Sequence, residues 1–148
     1  MRRALSVLTL VAVLAAACAS VALAAGPGVM YLGTTSQHKP FKLSVKPEGV
    51  RFRIDWSADC GDGGKPFQAQ TASQRPLALK ASAFSSTESY DATASDGAKV
   101  HYAIVMTGAV HRRRASGTWQ ATASGPYKDG GTYKCDTGKV TWSARRGG

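Results

Sequence analysis

Val50-Arg51-Phe52-Arg53-Ile54-Asp55-Trp56-Ser57 alternates apolar and polar side chains without a break. A period of two places Val50, Phe52, Ile54 and Trp56 on one face and Arg51, Arg53, Asp55 and Ser57 on the other, the pattern of a half-buried β-strand. Just before it, Phe41-Lys42-Leu43-Ser44-Val45-Lys46 alternates in the same way. Pro47-Glu48-Gly49 separates the two, with proline preset in φ and glycine free to take positive φ, so the pair reads as a hairpin.

The same period recurs along the chain. Val29 to Thr34 forms a first strand, ended by Ser36-Gln37-His38-Lys39-Pro40. Pro66–Gln70, Pro76–Ala81 and Phe84–Ala92 are weaker candidates. Val100, Tyr102, Ile104 and Met106 alternate with His101, Ala103, Val105 and Thr107, after the tight-turn pair Asp96-Gly97. Gly117 to Ser124 places Trp119, Ala121 and Ala123 together, and Thr132–Cys135 and Lys139–Arg145 follow, with Asp136-Thr137-Gly138 expected as the turn of a final hairpin. No sustained apolar spacing of three and four residues marks a helix after the first 25 positions. Eight or nine short strands with turn residues between them predict an all-β antiparallel meander, closed or nearly closed into a small barrel or sandwich.

The chain has 148 residues, and its first 25 differ in kind from the rest. Arg2 and Arg3 precede an apolar run from Ala4 to Ala17, and Ala22-Leu23-Ala24-Ala25 follows. That is the build of a secretory signal with an A-x-A cleavage site. Residues 1–24 are accordingly expected to be a signal peptide, cut at Ala24 and Ala25, with 25–148 a single all-β domain working outside the cytoplasm. Ala15-Ala16-Ala17-Cys18 offers an alternative, a lipid anchor on Cys18, although its large aliphatic residue, Leu14, sits one place too early for the usual box.

Cys60 and Cys135 remain as one possible disulfide in an oxidising compartment. Closing a loop of roughly 76 residues would stabilise the fold by about 4 kcal/mol in the chain-entropy model. Cys60 shares parity with Val50, Phe52, Ile54, Trp56 and Ala58, so its sulfur is expected on the core side where the strand stays regular, and Cys135 shares parity with Tyr133. Free thiols or a metal site are the competing readings. No Cys or His lies at ligand spacing from either cysteine, and no cofactor is expected.

Removing Arg2 and Arg3 from the 19 lysines and arginines leaves 17 cations against 9 carboxylates, a net charge of +8. Such a surface favours anionic partners: wall polymers, acidic polysaccharide, lipid headgroups or nucleic acid. The chain has no asparagine and is rich in Ala, Gly and Arg, a composition that GC-rich coding also produces. The densest basic feature is His111-Arg112-Arg113-Arg114, placed between two strands. Its guanidinium groups are expected to fan from a hairpin tip as an anion-binding site, the plain alternative being a solvated turn.

Two stretches resemble a group of small secreted proteins of high-GC actinobacteria. They are Tyr31-Leu32-Gly33-Thr34-Thr35-Ser36-Gln37 and Cys135-Asp136-Thr137-Gly138-Lys139-Val140-Thr141-Trp142-Ser143-Ala144-Arg145-Arg146. The middle piece Gly108 to Trp119 joins them, while 65–96 matches loosely. The resemblance implies an all-β fold and a cysteine pair, and it carries no functional residue across.

Catalytic patterns are sparse. Asp136-Thr137-Gly138 is a single copy of a triplet that an aspartic protease needs twice. Asp59 and Asp62, with the glycines of Cys60–Gly64, lack the spacing of a calcium loop. His38, His101 and His111 are scattered, and no serine lies in G-x-S-x-G. A Ser-His-Asp set assembled in space is the enzymatic alternative. Trp56, Trp119, Trp142, Tyr102 and Tyr133 would line a ligand cavity if the barrel were empty, as in a lipocalin-like carrier, or else pack its core. Gly61 to Lys65, anchored by Cys60, is the candidate loop for an enzyme inhibitor. The expectation is a monomeric, non-catalytic binding or interaction module of the bacterial exterior, for anionic surface polymers or a protein partner.

Overall fold

The computed structural model describes residues 28–147 except 62, 64, 94–96 and 129. The expected signal segment, its expected cleavage site at Ala24 and Ala25, and Cys18 lie outside the described residues. Nine antiparallel strands form one sheet: β1 (Val29–Thr35), β2 (Pro40–Lys46), β3 (Gly49–Ala58), β4 (Phe67–Ala72), β5 (Ala83–Thr93), β6 (Lys99–Val110), β7 (Arg114–Pro126), β8 (Thr132–Asp136) and β9 (Val140–Arg146). The lateral order is β4-β3-β2-β1-β9-β7-β6-β5, with β8 beside β7. Two meanders, β1–β4 and β5–β7, are thus joined through β9. The sheet curls into a half-barrel with β4 and β5 at the two ends of this order.

Alternation in β3 holds throughout: Val50, Phe52, Ile54, Trp56 and Ala58 are buried, and Arg51 and Arg53 are exposed. The interior is filled by large rings. Trp142 stacks on Phe41 with centroids 4.3 Å apart, Phe52 meets Trp119 edge-on at 5.7 Å, and Trp56 lies 6.5 Å from Trp119. Trp56 Nε1 donates to Thr71 Oγ1 at 2.9 Å. The indole N–H groups of Trp119 and Trp142 meet no acceptor among the described residues, a penalty that the packed area of their rings offsets. Gly33 lets β1 and β9 approach closely; a Cβ there would stand 1.9 Å from the Ser143 carbonyl oxygen.

Two local expectations are corrected. Pro76–Ala81 forms no strand of its own. Leu77 makes a lone bridge to Val50, because Pro76 cannot donate and Ala81 takes a left-handed φ of 45°. Asp136-Thr137-Gly138 does not reverse the chain either. β8 and β9 both run along the same side of β7, Asp136 opposite Thr122 and Val140 opposite Trp119. Three residues, 137–139, therefore face two, Gln120 and Ala121, which is a β-bulge.

The bulge is held in place locally. Thr137 N donates to Ala121 O at 3.0 Å, and Ala121 N donates to Thr137 Oγ1 at 2.9 Å. Gly138 N donates to Asp136 Oδ1 at 2.7 Å, with Gly138 at φ 60°. The extra residue switches the inward parity from Cys135 to Val140, Trp142 and Ala144, all buried.

Cys60 and Cys135 form a disulfide. It clips the end of β3 to β8, next to the backbone pair in which Asp136 N donates to Asp59 O at 2.9 Å and Asp59 N donates to Asp136 O at 3.2 Å. The β1–β2 tip fills the space beside this clip. Ser36 N donates to Thr141 O at 2.8 Å. Gln37 Nε2 donates to Ser57 O at 2.7 Å and Gln37 Oε1 accepts from Ser57 N at 3.0 Å. Thr35 Oγ1 accepts from Gln37 N and from Lys39 N, each at 3.2 Å. Thr35-Ser36-Gln37 is thus a wedge bonded to β9 through the Ser36 backbone and to β3 through the Gln37 side chain.

Candidate functional site

Sheet register decides which cations meet. Arg112 and Arg113 lie in the β6–β7 turn, while Arg114 is already in β7 opposite Arg145 of β9. Arg146 N donates to Arg113 O at 3.0 Å, and His111 N donates to Arg114 O at 2.7 Å. The first bond ties the tip to the end of β9, and the second closes the β6–β7 turn. The expected arginine triplet therefore belongs to a group of five, Arg112, Arg113, Arg114, Arg145 and Arg146, all exposed. Arg145 and Arg146 were visible in the sequence, but only the pairing of β7 with β9 brings them to Arg114.

The same end of the half-barrel holds the β2–β3 turn. β1 begins where β9 ends, Tyr31 opposite Arg146, and β2 ends beside that start, Val45 opposite Val29. This adds Lys46 and Arg51. Among the described residues the ion pairs are Lys46–Glu48 at 4.0 Å and His101–Asp91 at 2.8 Å. Neither includes one of the five arginines. Uncompensated like charges at one end repel one another and create a positive field that an anion relieves. On the outer face beside them lies a groove of about 440 Å³, lined by Leu32, Arg114, Ser116, Ser143 and Arg145 among others.

The remaining sequence candidates fall elsewhere. Asp136 Oδ1 caps the bulge and Asp59 Oδ1 accepts from Gly61 N at 2.8 Å, so each carboxylate has a local structural partner. Asp62 lies outside the described residues, as does part of the Gly61–Lys65 loop. Groups of three or more potential metal ligands are absent among the described residues. Trp56 and Trp119 are fully buried in the core and Trp142 almost so, which fills the space a lipocalin-like carrier would need. Tyr102 and Tyr133 are half-buried and packed against that core.

One arrangement was not legible beforehand. Ser89 Oγ lies 3.1 Å from His101 Nε2, and His101 Nδ1 lies 2.8 Å from Asp91 Oδ1. That is the connectivity of a Ser-His-Asp triad, assembled because Asp91 and His101 are paired across β5 and β6. Its setting differs from a hydrolytic one. The Asp91 side chain is 72% and the His101 side chain 53% exposed, so water competes for the bonds that should hold the imidazole. Ser89 lies within the extended run of β5, not on a turn that gathers backbone N–H groups for an oxyanion. The cleft beside it contains Arg75 but also Glu88, whose charge opposes a developing oxyanion. The array reads as a cross-strand polar network.

Two tyrosines at the open side have raised pKa values. For Tyr90 the cause is burial first, then the Glu88 charge, with the Thr71 hydroxyl pulling the other way. For Tyr102 it is burial, then Tyr133 and Tyr90. Their rings stack with centroids 5.4 Å apart. Comparison with family models, with curated proteins and with solved structures finds no match to this chain.

Proposed function

We propose that the domain is a non-catalytic binding module of the bacterial exterior that engages anionic surfaces through its basic end. The observation that carries this reading is the convergence of Arg112, Arg113 and Arg114 with Arg145 and Arg146, none of them in an ion pair among the described residues. Guanidinium groups bind phosphate and carboxylate in bidentate fashion, so five in one place suit a polyanion. Export is supported by Arg2 and Arg3 before the apolar run, by the A-x-A site at Ala24 and Ala25, and by the Cys60–Cys135 disulfide. A lipid anchor on Cys18 is the second form of the same reading, and it would hold the domain at the membrane that the basic end would face.

The test is retention on immobilised polyphosphate over a salt gradient. Wild type should elute late, and serine at Arg112, Arg113 and Arg114 together should weaken binding about tenfold and flatten its salt dependence. Unchanged retention of that variant would remove the basic end as the site.

A further inference from the structure

Met30 and Leu32 stand on the outer face of β1, 45% and 51% exposed. Their neighbours Tyr31 and Gly33 point to the interior side. Register sets cations on both flanks. Leu32 is opposite Lys42 on β2, and Lys42 is opposite Arg53 on β3. On the other side Leu32 is opposite Arg145 on β9, and Arg145 is opposite Arg114 on β7. One row across five strands thus reads Arg53, Lys42, Leu32, Arg145, Arg114. At strand spacing it is about 19 Å long. Met30 belongs to the next row, opposite Ser44, which is opposite Arg51. Asp55, the carboxylate two residues beyond Arg53 on β3, accepts from Gln70 Nε2 at 2.6 Å.

We infer that this outer face, centred on Met30 and Leu32, docks on an anionic phospholipid bilayer. The inference rests on the anion-binding reading of the basic end and names its partner. Two exposed apolar side chains framed by cations match both layers of a membrane interface: anionic headgroups outside, acyl chains just beneath. A soluble polyanion would satisfy the cations and leave Leu32 and Met30 in water. The groove between Arg114 and Arg145, with Ser116 and Ser143 hydroxyls in its wall, suits one headgroup phosphate beside Leu32. Gly28 lies against Lys46, so the chain enters the fold at this same end.

The experiment measures binding of the folded chain to vesicles of phosphatidylglycerol mixed with phosphatidylcholine, to vesicles of phosphatidylcholine alone, and to soluble polyphosphate. Wild type should bind the mixed vesicles and ignore the neutral ones. Serine at both Met30 and Leu32 should weaken vesicle binding about tenfold and leave polyphosphate binding unchanged. A separate Leu32→Trp variant should shift its emission to the blue on the mixed vesicles and be quenched by brominated acyl chains. Vesicle binding unaltered by the double serine change, or no quenching of the Leu32→Trp variant, would overturn the inference. Equal binding to neutral vesicles would overturn it as well. Binding to polyphosphate without binding to vesicles would refute the bilayer and leave the basic end as an anion site; binding to neither would refute both.

Discussion

Replacing Cys60 and Cys135 together by alanine removes the clip between the end of β3 and β8. The two residues are 75 apart in sequence, so the bridge closes a loop of about 76 residues in the unfolded chain. The loop-entropy relation gives roughly 15 cal/mol/K for that length, or about 4.5 kcal/mol at 25 °C. Loss of the sulfur atom of Cys135, which is fully buried, adds on the order of 1 kcal/mol from the native side. For a domain of this length the melting temperature should fall by roughly 15–20 °C. Urea unfolding followed by tryptophan fluorescence is a direct assay, because Trp56, Trp119 and Trp142 are all buried. The midpoint should drop and the slope should rise, since an unfolded chain without the cross-link exposes more surface. A loss below about 1 kcal/mol with an unchanged slope would refute the reasoning. It would mean that the Asp59–Asp136 backbone pair and the Gln37 wedge hold this corner unaided.

Four further outcomes are expected. Gln37→Ala leaves the Ser57 N–H and carbonyl without their side-chain partner and should cost about 1–2 kcal/mol in chemical denaturation, with faster amide exchange at Ser57. Gly33→Ala forces a Cβ onto the Ser143 carbonyl and should destabilise by more than about 2 kcal/mol, read as a lower urea midpoint. Burial favours the neutral forms of Tyr90 and Tyr102 in the fold. Their contribution is fully present below the ordinary tyrosine range and is lost as pH rises through the raised folded values, so thermal stability should fall on the alkaline side, together with a late phenolate absorbance change. Ser89, in its exposed array with His101 and Asp91, should resist a fluorophosphonate probe; covalent labelling there would end the non-catalytic reading.

Much of the architecture follows from local pattern. The alternation of Val50 to Ser57 specifies a half-buried strand because side chains on an extended chain must point to opposite sides, and the same period marks β1, β2, β6 and the centre of β7. Parity also put the Cys60 sulfur on the core side, and the structure joins it to Cys135. The change of inward parity between Cys135 and Val140 was present as well. It is the mark of a bulge, but an Asp-x-Gly triplet has the same local chemistry in a bulge and in a turn, and the difference lies in whether β7 is long enough to pair with both β8 and β9. The signal-like pattern of residues 1–24, the basic composition and the arginine triplet required no fold to be seen.

Tertiary structure alone decided which residues of different strands stand together. Arg114 meets Arg145 because β9 crosses back to lie between β1 and β7, and Leu32 gains cations on both flanks for the same reason. Ser89, His101 and Asp91 became neighbours through the β5–β6 register. Thr35-Ser36-Gln37, conspicuous in the sequence, turned out to be a wedge bonded to both β9 and β3. Periodicity is a property of one strand with its own backbone and can be read along the chain. Register is a relation between strands, set by how their buried faces pack against one another, and no single segment contains it.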